Sequence, residues 1–202
     1  MRKHFLYFTC LAATAACADD LDYTPLRFAI VDDRIIATGE IDDASLGRFE
    51  DLVEDHPDKR TLVLQNIGGS VDDDANVEFS RAVRRMGFTT VVPSDGLVAS
   101  GGTDLFLAGA KRVIETGACI GVHSWAAGDF TATDISRSSA EHDRYLDYYD
   151  DIGIDPDFYW FTIEAAPADG MHWMTADEVA KYGVSSTPVA TLSSAAICNS
   201  RS

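Results

Sequence analysis

From residue 26 onward, short apolar runs alternate with amphipathic stretches. RFAIV and IIATG flank the tight turn Asp32-Asp33 and predict a β-hairpin. Leu46, Phe49, Leu52 and Val53 then recur at helical spacing, predicting a helix over 44–54 that Pro57 stops. TLVLQ at 61–65 and FTTVV at 88–92 read as buried strands. Between them lies a helix whose inner stripe is Ala75, Phe79, Ala82, Val83 and Met86. Asp72, Asp73 and Asp74 open that helix, Arg81, Arg84 and Arg85 lie toward its end, and Gly87 follows. This charge order suits the helix dipole. Another strand is expected at 120–122 and a long amphipathic helix at 135–152. An aromatic helix follows at 156–165, then a short helix opened by the capping box Thr175–Glu178 and ended by Gly183. Strand and helix alternate through the middle of the chain, which argues for an α/β fold with a mainly parallel sheet and flanking helices.

Length and composition fit one domain. The chain has 202 residues, 46% of them hydrophobic, enough for a sizeable core. Residues 1–18 stand apart: Arg2 and Lys3 precede an apolar run, and small residues crowd its end. This pattern predicts a secretory signal and an exported, periplasmic protein. The domain is then expected over 19–192, with 193–202 a disordered tail. Ala16-Cys17-Ala18 fits a cleavage site, while residues 14–17 resemble a lipobox, so a lipid on Cys17 is the one route expected to a membrane. A net charge of -17 disfavours nucleic acid and anionic lipid as partners. Cys119 and Cys198 lie outside the signal, and the sequence leaves open whether they pair. Cysteine and histidine spacing gives no zinc pattern, so no metal and no cofactor is expected.

The candidate chemistry falls between residues 61 and 125. A glycine pair, Gly68-Gly69, ends the strand at 61–65 and offers bare backbone N–H groups to an oxyanion. Ser100, before Gly101 and Gly102, sits where an extended segment meets a helix, so the Gly101 amide can face the same oxyanion. His123 ends a later strand, 23 residues after Ser100. A serine nucleophile, a histidine base and glycine amides are the parts of an acyl-transfer site.

In order, Gln65–Val71, Ala99–Gly102, Leu107–Gly109 and Gly121–His123 resemble the Clp protease (ClpP)/crotonase superfamily, closest to the exported single-domain ClpP-like serine proteases. The resemblance implies a ClpP/crotonase-like fold with a long helix after the catalytic strand, and it leaves homo-oligomers open. It assigns Ser100 as nucleophile, His123 as base, and Gly69, approached through Gly68, with Gly101 as the oxyanion hole. Its third catalytic position falls on Met171, which cannot orient a histidine, so Asp169 is the nearest substitute. Asp134 is expected to cap the following helix. Two departures are Ile67 in place of a proline and Asp104 in place of an apolar residue. The leading expectation is an exported serine peptidase acting on a peptide or protein. The alternative is an inactive scaffold that binds a partner through the aromatic surface near Trp125 and 158–161. A crotonase acting on a CoA thioester ranks third, since export separates it from CoA and nothing basic is placed for the nucleotide phosphates.

Overall fold

The structure, a computed structural model, describes residues 23–202. The expected signal at 1–18, with Cys17, lies outside the described residues. β1 (Arg27–Val31) and β2 (Arg34–Thr38) form the expected hairpin, its turn carried by Asp32 at a φ of 54°. α1 (Ser45–Asp55) follows, then β3 (Thr61–Ile67) and α2 (Asp73–Arg85). The Asp72 carboxylate caps α2 by accepting the Ala75 N–H at 3.0 Å, and Arg84 and Arg85 occupy its last turn. The acidic start and basic end read from the sequence are therefore both present. Apolar stripes on α1 and α2 meet the hairpin through Phe28, Phe49, Phe79 and Phe88, whose rings touch at centroid distances of 5.1–6.2 Å.

The next elements build the site. They are β4 (Thr89–Val92), β5 (Leu97–Ala99), α3 (Gly101–Leu107), β6 (Lys111–Ile114) and β7 (Cys119–Val122). β3 is a branch point. Residues 61–63 pair in parallel with β4, while Asn66 and Ile67 pair in parallel with β5. One branch continues from β4 to β6 and the other from β5 to β7. α3 packs against β3, β4, β5 and β7, so its N-terminus is held where the two branches part. A small hairpin, β8 (Ala126–Ala127) and β9 (Phe130–Thr131), follows, then α4 (Asp143–Ile152) and α5 (Pro156–Ala165). β10 (His172–Trp173) pairs antiparallel with β7 and ends the mixed eight-stranded sheet. α6 (Ala176–Lys181) and α7 (Ala195–Cys198) complete the described chain. The result is the expected α/β architecture, a mainly parallel sheet with helices around it.

Two local expectations change. The helix after the site starts at Asp143, not at residue 135. Ser136 and Ser138 bond to each other, and the Ser136 hydroxyl also takes the Ser138 N–H, which gives the backbone an alternative to the helix. Asp134 does cap, but as the far member of a capping box that closes a 3₁₀ turn, accepting the Thr131 N–H at 2.8 Å. Residues 193–202, expected as a disordered tail, contain α7 and are tied down. Cys198 forms a disulfide with Cys119 of β7, and the Trp173 indole donates to Asn199 at 2.6 Å. No helix among the described residues is long and apolar enough to cross a membrane.

Candidate active site

Ser100 stands between β5 and α3 at φ 51° and ψ −129°, a conformation that a side chain makes costly by about 1–3 kcal/mol. Three bonds impose it. The Ser100 N–H donates to the Gly121 carbonyl at 3.2 Å, and the Ser100 carbonyl accepts from Thr103 and Asp104 at 2.8 and 3.4 Å. The two following glycines are needed for close approach. A Cβ on Gly102 would stand 2.3 Å from the Ile67 carbonyl oxygen, and one on Gly101 would meet the Ser70 hydroxyl at 2.3 Å. Gly69 faces Ser100, since a Cβ there would lie 3.5 Å from the Ser100 Cβ. Among the described residues, the N–H groups of Gly69 and Gly101 have no hydrogen-bond partner. The Gly101 carbonyl is fixed by the buried Asn76 amide, at 3.0 Å.

Beside the Gly101 amide is a cavity of about 50 Å³, room for a few water molecules. Ser100, Gly101, His123, Asp73 and Asp104 all line it. Both aspartates are held by α4. The Tyr145 hydroxyl donates to Asp73 Oδ2 at 2.5 Å, and the Tyr149 hydroxyl donates to Asp104 Oδ1 at 2.7 Å. Four residues apart, the two tyrosines share one face of the helix. The Tyr148 hydroxyl adds a bond to the Asp104 carbonyl, and Ser70 donates to Asp73 Oδ1. Burial pushes the Asp104 carboxyl up to about 7. The Tyr149 bond works against that rise, and the nearby Asp73 adds to it. Burial likewise raises the phenols of Tyr145 and Tyr149 far above their ordinary range, so both remain hydrogen-bond donors.

The expected catalytic triad does not assemble. Ser100 and His123 line the same cavity, yet no hydrogen bond joins them among the described residues, and His123 Nδ1 is buried without a partner. Asp169 is exposed and makes no bond to His123. Met171 packs instead over Gly121, where its sulfur would lie 2.7 Å from an added Cβ. Gly68 leads to Gly69 with open space around it. The aromatic surface offered for a partner is also mostly interior. Phe158 and Tyr159 are buried, and Trp125 lines the cavity with its indole donating to the Tyr159 hydroxyl at 3.0 Å. Asp73, Tyr145 and Tyr149 were missed as site residues: Asp73 read as helix-end solvation and the tyrosines as the apolar face of a helix. The visible signal was Asp104 itself, an acid one turn into a helix whose neighbours are apolar.

No protein-family model matches the chain, and no curated protein sequence matches it. Solved structures do. The chain is similar to an enoyl-CoA hydratase from Polaromonas sp. JS666, with a TM-score of 0.51 and 11% identity over 88% of this chain and 74% of that one. It is also similar to a mutant of the 1510-N membrane-bound stomatin-specific protease, with a TM-score of 0.51 and 14% identity over 80% and 77%. A probable enoyl-CoA hydratase/isomerase from Mycobacterium abscessus matches at a TM-score of 0.49 and 16% identity over 80% and 68%. At these identities the likeness establishes a crotonase-type fold. At a TM-score of 0.51 both an enoyl-CoA hydratase and a protease share this fold, so the likeness shows the fold alone, and among the described residues Ser100 and His123 form no hydrogen-bonded pair. The resemblance to exported ClpP-like serine proteases, and with it the serine peptidase expected from Ser100 and His123, is corrected accordingly. No group of three or more His, Cys, Asp or Glu among the described residues could hold a metal ion.

Proposed function

We propose that this chain is an acid–base enzyme of the hydratase/isomerase type, acting on a short acyl substrate whose carbonyl is held by the Gly69 and Gly101 amides. The carrying observation is the Asp104 carboxyl. It faces a small cavity one helical turn beyond the unpartnered Gly101 amide and is pushed up to about 7. A group with that proton affinity gives and takes a proton readily at neutral pH. In a hydration, Asp104 as carboxylate removes a proton from water while the water oxygen bonds to the β-carbon of an enoyl group. The carbonyl oxygen gathers the charge between the two amides. The proton on Asp104 then passes to the α-carbon, so water is added across the double bond and Asp104 is restored.

The enoyl-CoA hydratases with this fold supply the reaction class, but CoA itself fits poorly here. The chain carries a net charge of -17, and no Lys or Arg lines the cavity among the described residues. The test is a crotonyl thioester of N-acetylcysteamine, followed by loss of the enoyl absorbance and, in D₂O, by deuterium entering at the α-carbon. Turnover that falls at least about 100-fold in Asp104→Asn is expected. Absence of both hydration and deuterium incorporation, with the protein folded, would overturn the reading.

A further inference from the structure

Resting on that reaction, we propose that the acyl group taken by this cavity carries an ammonium group, seated against Asp73 among the rings of Trp125, Tyr145, Tyr149 and Tyr159, with Asp104 left to carry the proton. Two carboxyl groups line one cavity, and among the described residues no Lys or Arg lines it with them. Arg144, a neighbouring cation, pairs with exposed Asp74 at 3.1 Å and lies over the Tyr145 ring, 5.6 Å from its centroid. Each carboxyl retains accepting capacity. Asp104 Oδ1 takes the Tyr149 hydroxyl, while Oδ2 takes no bond from the described residues. Asp73 takes one hydroxyl on each oxygen and has a lone pair left on both.

The rings complete the seat. Trp125 lies over Tyr145 at 6.2 Å, and Tyr145 over Tyr159 at 5.5 Å, both stacked. Their stacked faces pack on one another and their polar edges make the bonds already described, so the rings line the cavity as apolar walls. The apolar walls accept the carbon stem of an organic cation, and the carboxylate supplies the attraction that a neutral hydrocarbon tail lacks. An anionic acyl group would meet the Asp73 carboxylate, and Asp104 whenever it is ionised, with no Lys or Arg lining the cavity among the described residues. The net charge of -17 draws cations toward the protein over longer range.

Ethylammonium serves as the probe, compared with ethanol and propionate at fixed ionic strength, with binding read by calorimetry and by inhibition of crotonyl-thioester turnover. Ethylammonium is expected to bind at least about tenfold more tightly than ethanol, and propionate more weakly still. Asp73→Asn is expected to weaken ethylammonium about tenfold or more, the usual effect of removing a charged hydrogen-bond partner. Tyr145→Phe, which keeps the Asp73 charge, is expected to retain it and serves if Asp73→Asn does not fold. Equal binding of ethylammonium and ethanol, preference for propionate, or loss of preference in Tyr145→Phe would overturn the inference. Crotonyl turnover that ethylammonium does not inhibit would defeat the ammonium seat alone. Ethylammonium binding without any acyl turnover would defeat the hydration reading and leave the seat standing.

Discussion

Asp104→Asn gives the most direct physical test of the site, because it separates charge from shape. Asparagine keeps an oxygen for the Tyr149 hydroxyl but cannot ionise. The wild-type carboxyl is raised from 3.8 to about 7, with burial the main cause and Asp73 a contributor. Between those values the folded protein holds a proton that the unfolded chain has released, so folding stability falls as pH rises from about 4 to about 7 and then levels off. At about 1.4 kcal/mol per pH unit, the full loss is about 4 kcal/mol, of which more than half develops between pH 5 and pH 8. Asp104→Asn should escape it. Urea denaturation of both proteins at pH 5, 6, 7 and 8 should show the variant gaining on the wild type by about 2–3 kcal/mol across that range. Taking the difference cancels every other titrating group the two share. Parallel stability curves would mean that the Asp104 carboxyl ionises as freely in the fold as in water, and the case for it as a neutral-pH proton carrier would fall.

The same value predicts that crotonyl-thioester turnover rises about tenfold from pH 6 to pH 8, following ionisation of Asp104, and a flat profile would argue for another base. Cys198→Ser opens a bridge that spans 79 residues. It should lower stability by about 4 kcal/mol, measured as a denaturant midpoint with reductant as the matching control. Gly102→Ala puts a methyl group 2.3 Å from the Ile67 carbonyl oxygen, so it should cost about 2 kcal/mol or more in urea denaturation and lower turnover by shifting the glycine loop.

The scaffold was far more legible in the sequence than the chemistry, and particular residues show why. The hairpin, α1, α2 and the strands near 61–65, 88–92 and 120–122 are written in apolar spacing, which depends only on neighbours along the chain. The strand–turn–helix junction at Ser100 was also readable, because a turn followed by glycines needs local geometry and little else. The carboxyl sites were not. Asp73 is the middle residue of an acidic run at a helix start, where solvated charge is the ordinary outcome. Only its contact with Tyr145, 72 residues away, makes it part of a cavity. Tyr145 and Tyr149 have the spacing of a core stripe and do pack as one, and their hydroxyls find aspartates only after α4 docks. The helix expected from 135 failed at its start because serine hydroxyls compete locally for backbone groups, a preference that amphipathic spacing does not register. The pairing of Cys119 with Cys198 needed the tail folded back along β7, which composition cannot supply.

The strained turn at Ser100 fits proton transfer through Asp104 better than attack by the serine itself. Because the peptide unit is planar and trans, the Ser100 carbonyl and the Gly101 N–H point in opposite directions. That carbonyl is turned into α3, where it accepts from Thr103 and Asp104, so the Gly101 N–H must point out of the helix end. The strain therefore aims an amide, whatever the side chain at position 100. The charges then favour one reaction. Attack by a serine builds negative charge on the substrate oxygen while Asp104, when ionised, keeps its own charge in the same cavity. In hydration, Asp104 takes the proton of water as the substrate oxygen gains charge. The negative charge moves from the carboxyl to the amide-held oxygen and is not doubled. An acid that would burden the first reaction is the proton carrier of the second.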